Sequence, residues 1–126
     1  MPTAIIVDDE PQMAKAVQLL LKLLDYQTQY FQSPKEFARH LLAANTIPPD
    51  VLILDMNMPQ VTGLDVLKWL RGTKRFKDLP IIVLSSEIQP QFIDSVVAAG
   101  ASHYLLKPTT IEDLEKALDK VLGNSK

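Results

Sequence analysis

Apolar and polar positions fall along this chain in blocks of two different periods. Ala4-Ile5-Ile6-Val7, Val51-Leu52-Ile53-Leu54 and Ile81-Ile82-Val83-Leu84 are continuous apolar runs. Runs this short, bounded by polar or proline residues, read as strands buried on both faces. Thr28-Gln29-Tyr30-Phe31 is a weaker strand, and Tyr104-Leu105-Leu106 a fifth. Between the strands the spacing becomes helical. Met13, Val17, Leu20, Leu21 and Leu24 mark one helix, with Pro11 in its first turn. Ser33-Pro34-Lys35-Glu36 has the form of a capping box and opens a helix to about Ala44, ahead of a loop from Asn45 to Asp50. Thr62-Gly63-Leu64-Asp65 caps a third helix, with Leu64, Leu67 and Leu70 as its buried stripe. A fourth helix runs from about Pro90 to Ala99 and stops at Gly100. Thr110 with Asp113 caps the last, lined by Ile111, Leu114, Leu118, Val121 and Leu122 and closed by Gly123.

Five doubly buried strands alternating with five helices require a parallel sheet covered on both sides. The expected architecture is a flavodoxin-like (βα)5 three-layer sandwich with strand order 2-1-3-4-5. At 126 residues the chain fits one domain, residues 1–126.

Composition narrows the function. The chain is 47% hydrophobic and 22% charged, enough apolar material for a core. A net charge of -2 gives no bulk attraction to nucleic acid or anionic membranes. With no cysteine, disulfides, thiol catalysis and cysteine-ligated metals are excluded. No apolar run nears the roughly 20 residues needed to span a bilayer, and the first residues show no basic-then-apolar pattern, so no signal peptide is expected. The expected compartment is the cytoplasm.

The chemistry lies where the strands end. The central strand closes on Asp55-Met56-Asn57-Met58-Pro59, the first on Asp8-Asp9-Glu10, the fourth on Ser85-Ser86-Glu87 and the fifth on Lys107-Pro108. Alone, Asp55 would read as the start of a turn. In the order 2-1-3-4-5, however, strands one, three, four and five are contiguous, and each delivers a polar group to the switch-point crevice. Strand two lies outside that group and contributes only Gln32-Ser33. Three carboxylates and one lysine carry an excess of about two negative charges when ionised, which a cation must offset. Oxygen-only ligands with room for water suit Mg²⁺, with Mn²⁺ able to substitute. Such a site takes a phosphoryl group. Asp55 can attack phosphorus and form an acyl phosphate, with Lys107 and Ser85 serving the phosphoryl oxygens.

Over essentially its whole length the chain resembles the receiver domains of two-component response regulators. Asp8 and Asp9 match that family's acidic pair, Asp55 its phosphoacceptor, Ser85 its switch hydroxyl and Lys107-Pro108 its lysine–proline. Tyr104 matches the aromatic switch position, and Met58-Pro59 with Gly63 the pattern after the phosphoacceptor. The resemblance implies Mg²⁺ on Asp9, Asp55 and the backbone carbonyl of Asn57, with Asp8 helping through water. It implies a Lys107–Pro108 bond that is often cis. It also implies a sensor histidine kinase or histidine phosphotransfer protein as donor, and a downstream protein or fused output domain as receiver of the signal. Phosphorylation would draw Ser85 inward, let Tyr104 follow and change the surface of the fourth helix, fifth strand and last helix. Asn57 and Glu87 stand where the family tunes phosphoryl lifetime. Their polar side chains point to self-dephosphorylation on the fast side. Ser86 stands where the family often has Ala.

Rival readings remain open on sequence alone. A haloacid-dehalogenase-type phosphatase combines an aspartyl nucleophile, Ser/Thr, Lys and Mg²⁺, but wants an acid where Asn57 stands. A flavin or nucleotide module would need hydroxyls or glycines where the three acids lie. A non-phosphorylated structural receiver would lack one of the site residues, all of which are present. His40 and His103 have no partner at metal-ligand spacing. Lys68, Arg71, Lys74, Arg75 and Lys77 around Trp69 could meet nucleic acid or an acidic partner, but such a run more often reads as a solvated face, as the near-neutral total supports. No direct nucleic-acid or membrane contact is expected. The chain is either a free-standing receiver or one excised from a larger protein. Its last helix lacks an arginine-rich dimerisation pattern, so a monomer is expected, with phosphorylation-dependent dimerisation left open.

Overall fold

In the computed structural model, which describes residues 1–43, 46–58 and 61–123, five parallel strands form one sheet. They are β1 (Thr3–Val7), β2 (Gln27–Phe31), β3 (Val51–Asp55), β4 (Ile81–Ser85) and β5 (His103–Leu106), in the order β2-β1-β3-β4-β5. The helices are α1 (Pro11–Leu23), α2 (Pro34–Leu42), α3 (Gly63–Arg71), α4 (Pro90–Ala98) and α5 (Ile111–Leu122). A short 3₁₀ turn, Lys74–Phe76, follows α3. The expected doubly wound sandwich is the one observed.

Every residue of β3 and β4 is buried. Their alternate side chains feed two separate cores. Ile5, Val7, Leu52, Leu54 and Val83 pack with Phe37, Leu41, Leu67, Leu70 and Val96, beneath α2, α3 and α4. Ala4, Ile6, Ile53, Ile82 and Leu84 pack with Val17, Leu21, Leu114 and Leu118, beneath α1 and α5. At the sheet edge, β2 exposes Gln27 and Gln29, which explains its polar sequence.

The caps fall where the side chains dictate. Thr62 and Asp65 form a full capping box: Asp65 N–H donates to Thr62 Oγ1 at 3.2 Å, and Thr62 N–H to Asp65 Oδ2 at 3.2 Å. Thr110 Oγ1 accepts from Asp113 N–H at 3.1 Å. Ser33 accepts from Glu36 N–H at 3.2 Å, but only this half of the expected box forms. The expected end of α2 at Ala44, and Pro59 after the central strand, lie outside the described residues.

In the basic run around Trp69 the lysines are solvated as expected, but the two arginines are not free. Arg71 turns inward: Nε donates to the Gly100 carbonyl at 2.8 Å, and Nη1 to the carbonyls of Phe76 and Lys77 at 3.3 and 3.1 Å. Arg75 donates to the carbonyls of Leu41 and Thr46 and lies over the Phe76 ring. Backbone carbonyls that end helices and turns need donors, and a guanidinium fork supplies several at once. Lys68, Lys74 and Lys77 stay exposed. Among the described residues no helix is long and apolar enough to cross a membrane.

Candidate functional site at the carboxyl end of the sheet

Because all five strands run the same way, their last residues share one edge. Asp55 ends β3 and Ser85 ends β4, while Asp8 follows β1 and Lys107 follows β5. Asp8, Asp55 and Ser85 are the buried polar residues of the described chain, each no more than 2% exposed. The ordering inferred from sequence thus brings these residues together.

Lys107 is the hub. Its Nζ lies 2.8 Å from Asp55 Oδ1, 3.7 Å from Asp8 Oδ2 and 3.8 Å from Glu10 Oε1. The Lys107–Pro108 bond is cis, and Lys107 N–H donates to the Ser85 carbonyl at 2.9 Å, tying the ends of β4 and β5. Burial works against the Lys107 charge, but the hydrogen bond and charge of Asp55, with Asp8 and Glu10, raise its pKa overall.

The acids hold more charge than Lys107 offsets. Burial, followed in size by the lowering effect of Glu10 N–H and the raising effect of nearby Asp55, leaves the Asp8 carboxyl pushed up from 3.8 to about 6. Asp9 is also raised, by burial first and then by Asp55. Carboxylate oxygens of Asp8, Asp9 and Glu10 lie within 4.8 Å of one another. Asp9 Oδ1 and Asp55 Oδ2 are buried without a hydrogen-bond partner. Two orphaned anionic oxygens beside an acidic cluster are the donor set a hard divalent cation fits.

Sequence reasoning missed two supports. Glu10 joins the cluster, whereas the sequence assigns a role only to Asp8 and Asp9 of the Asp8-Asp9-Glu10 run. Tyr30 of β2 donates its hydroxyl to the Asp8 carbonyl at 2.8 Å, so strand two does reach the site. Only the inward or outward facing of one half-buried aromatic, invisible in a weak strand, could have shown this.

The loop after β4 is closely held. Ser85 Oγ accepts from Glu87 N–H at 3.1 Å, and Tyr104 donates its hydroxyl to the Glu87 carbonyl at 2.9 Å. Tyr104 is half-buried, edge-on to Phe92. Glu87 Oε1 accepts from Ile88 and Gln89 N–H, both at 3.0 Å. Its carboxylate is therefore engaged by its own loop. Asn57 is exposed, and its N–H donates to Asp55 Oδ1 at 3.3 Å. Ser86 is exposed beside the site. His40 stacks on Phe31 with ring centres 4.9 Å apart, and His103 opens β5, away from these acids.

Gly63 N–H donates to the Met56 carbonyl at 3.1 Å. A Cβ at Gly63 would stand 2.3 Å from the Asp55 carbonyl oxygen. The absence of a side chain there lets α3 start directly against the segment that carries Asp55.

The chain is similar to known proteins over nearly its full length. The family described as the response regulator receiver domain matches residues 4–119. Chemotaxis protein CheY1 of Helicobacter pylori is 34% identical over 121 residues, covering 96% of this chain and 97% of that one. The transcriptional regulatory protein KdpE of Mycobacterium tuberculosis is 35% identical over 113 residues, 90% of this chain but 47% of its own length. Among solved structures, chemotaxis protein CheY4 of Vibrio cholerae superposes with a TM-score of 0.84 at 32% identity, covering 97% of this chain and 99% of that one. A putative response regulator from Chloroflexus aurantiacus superposes at 0.88 with 28% identity, covering 97% and 98%. The chain belongs to the response regulator receiver domain family, the CheY-like signalling domains of two-component systems.

Proposed function

We propose that this chain, acting as one receiver unit over residues 1–126, accepts a phosphoryl group on Asp55 and passes the signal on by a change of surface. The observation that carries this reading is the Asp55 carboxylate itself. It is buried at the open end of the sheet, with one oxygen on Lys107 and the other without a partner.

In the transfer, a carboxylate oxygen of Asp55 attacks the phosphorus of a phosphohistidine. The P–N bond breaks as the P–O bond forms, the leaving imidazole takes a proton from solvent, and an acyl phosphate remains. Lys107 supplies positive charge beside the carboxylate and remains within reach of the new phosphoryl oxygens. Asp9, Asp55 and the Asn57 carbonyl would hold Mg²⁺, with Asp8 acting through water and Glu10 at the rim. When bound, the ion neutralises phosphoryl oxygens and the acidic excess. The donor is a histidine kinase or histidine phosphotransfer protein.

The Ser85 hydroxyl accepts from Glu87, so its own hydrogen is free to donate to a phosphoryl oxygen. A Ser85 drawn inward would loosen the loop that Tyr104 holds through the Glu87 carbonyl. Tyr104 then follows, and the surface of α4, β5 and α5 changes its preference for a downstream partner. This is a shift between two accessible states. Exposed Asn57 is the side chain able to orient an attacking water, whereas Glu87 must first leave two backbone N–H groups. Self-dephosphorylation on the fast side follows from Asn57, and a phosphorylated form lasting many hours with Mg²⁺ would contradict it.

Intact-mass measurement with Mg²⁺ and a small acyl phosphate tests the reading. One phosphoryl mass should appear on the wild type and not on Asp55→Asn. Sustained turnover of a small phosphate ester would instead favour a phosphatase of the haloacid-dehalogenase type.

A further inference from the structure

A second surface on the molecule has the shape and charge of a binding site and takes no part in the chemistry at Asp55. Between α2 and α3 lies an apolar groove of about 330 Å³, walled by Phe37, Ala38, Val66 and Trp69 with Val61 at its mouth. Phe37 and Val66 belong to the buried core, so the floor is fixed. Trp69 is half-buried and Val61 is 42% exposed, so the walls are open to an incoming group. A volume of this size is at the lower end of what ligand pockets offer, roughly 300 Å³ upward, and suits one bulky side chain.

The rim sets the charge of the occupant. Lys35 lines the groove, Arg39 lies one helical turn further along α2, and Lys68 precedes Trp69 on α3. All three are exposed. The ion pairs among the described residues all belong to Lys107, so these three cations have no acidic partner there. One acid, Asp65, also lines the groove; its carboxylate keeps its charge but is held in the cap of α3. Duplex nucleic acid fits poorly, because Arg71 is turned inward and Arg75 is bound to carbonyls and Phe76. What remains is an apolar slot flanked by three exposed cations, Lys35, Arg39 and Lys68, against one lining carboxylate, a positive excess of about two.

We propose that the α2–α3 groove docks an acidic peptide segment of a partner protein through one aromatic or large aliphatic anchor. The anchor fills the slot beside Trp69, and flanking carboxylates meet Lys35, Arg39 and Lys68. A desolvated aromatic anchor inside a charged, water-accessible rim is the arrangement that concentrates binding energy in few residues. A smaller cavity lined by Asp9, Ser33 and Met58 shares Pro34, Lys35 and Val61 with the groove. The occupant therefore reaches the edge of the acidic pocket from the side away from α4 and β5.

Trp69 is the chain's one tryptophan, so its fluorescence reports occupancy directly. Selection of a random-peptide display library on the intact protein supplies the probes, and ¹⁵N NMR maps where they bind. The expected result is enrichment of acidic sequences with one aromatic or large aliphatic residue. Their binding shifts Ala38, Val66 and the Trp69 indole, shields Trp69 from acrylamide and weakens with salt. Ala38→Glu should weaken binding at least about tenfold, as should the Lys35→Glu/Lys68→Glu pair, with each variant's thermal melt showing that it folds. Asp55→Asn should bind as wild type does, which separates this proposal from the role of Asp55. The proposal is overturned by enriched peptides without acidic bias, by shifts elsewhere, by no enrichment, or by full binding to folded Ala38→Glu. It is equally overturned if an oligonucleotide produces the same shifts in place of the peptides, or if they arise from self-association as protein concentration rises.

Discussion

Replacing Asp8 with asparagine should make the metal-free protein more stable. Asp8 is 2% exposed and shares its pocket with Asp55, with Lys107 Nζ 3.7 Å away. Burial is the main reason its carboxyl is raised from 3.8 to about 6. A folded-state pKa above the unfolded value means the ionised group costs stability above about pH 6, an amount on the order of 3 kcal/mol at neutral pH. As pH falls below about 6 the native state takes up the proton first and the cost shrinks, to about half at pH 5, and it is gone only below the unfolded value of 3.8. Asparagine removes the charge and keeps an oxygen for Glu10 N–H, which Asp8 Oδ1 accepts at 2.9 Å. That cost already includes the attraction of Lys107, but the asparagine amide brings a buried NH₂ group that must find acceptors of its own, so a net gain of about 1–2 kcal/mol is expected, or roughly 3–8 °C in Tm for a domain of this size. The assay is thermal unfolding by circular dichroism in EDTA at about pH 7.5 and about pH 5, where the gain should largely vanish. Saturating Mg²⁺ should reverse the order and favour the wild type. A lower Tm for Asp8→Asn in EDTA near neutral pH, or a gain that does not change with pH, would refute the electrostatic account.

Other outcomes follow from the same geometry. Arg71→Ala leaves the carbonyls of Gly100, Phe76 and Lys77 without their donor and should cost about 2–4 kcal/mol in urea unfolding, little of it recovered by Arg71→Lys. Gly63→Ala forces a Cβ against the Asp55 carbonyl. It should destabilise by about 1–3 kcal/mol and slow phosphorylation by a small phosphodonor, measured as the rate of mass gain. Tyr104→Phe removes the bond to the Glu87 carbonyl, for about 1 kcal/mol. Tyr104→Ala should leave phosphorylation of Asp55 intact and damage binding of the downstream partner, read by pull-down with and without a phosphoryl mimic.

Much of this was legible in the residues because parallel sheets have strict rules. The doubly apolar runs at Val51–Leu54 and Ile81–Leu84 could only be central strands, and strand order then carried Asp55, Ser85 and Lys107 to one edge. What stayed hidden depended on side-chain direction. Nothing in a run of basic residues says that Arg71 folds back onto three carbonyls while Lys74 and Lys77 remain in water. Glu87 looked free to orient water, yet its carboxylate caps its own loop, because two N–H groups ahead of Pro90 need an acceptor. Tyr30 occupies a strand too polar to mark as functional, and its hydroxyl is placed by the register Ile6–Tyr30.

The central claim is that Asp55 itself carries the phosphoryl group, and borohydride trapping tests it most directly. Protein treated with Mg²⁺ and a small acyl phosphate, then with borohydride, has any aspartyl phosphate reduced to homoserine. Tandem mass spectrometry should find homoserine at position 55 and at no other aspartate. Homoserine at position 8 or 9, or a phosphoryl group that survives on serine or histidine while position 55 stays aspartate, would contradict the account.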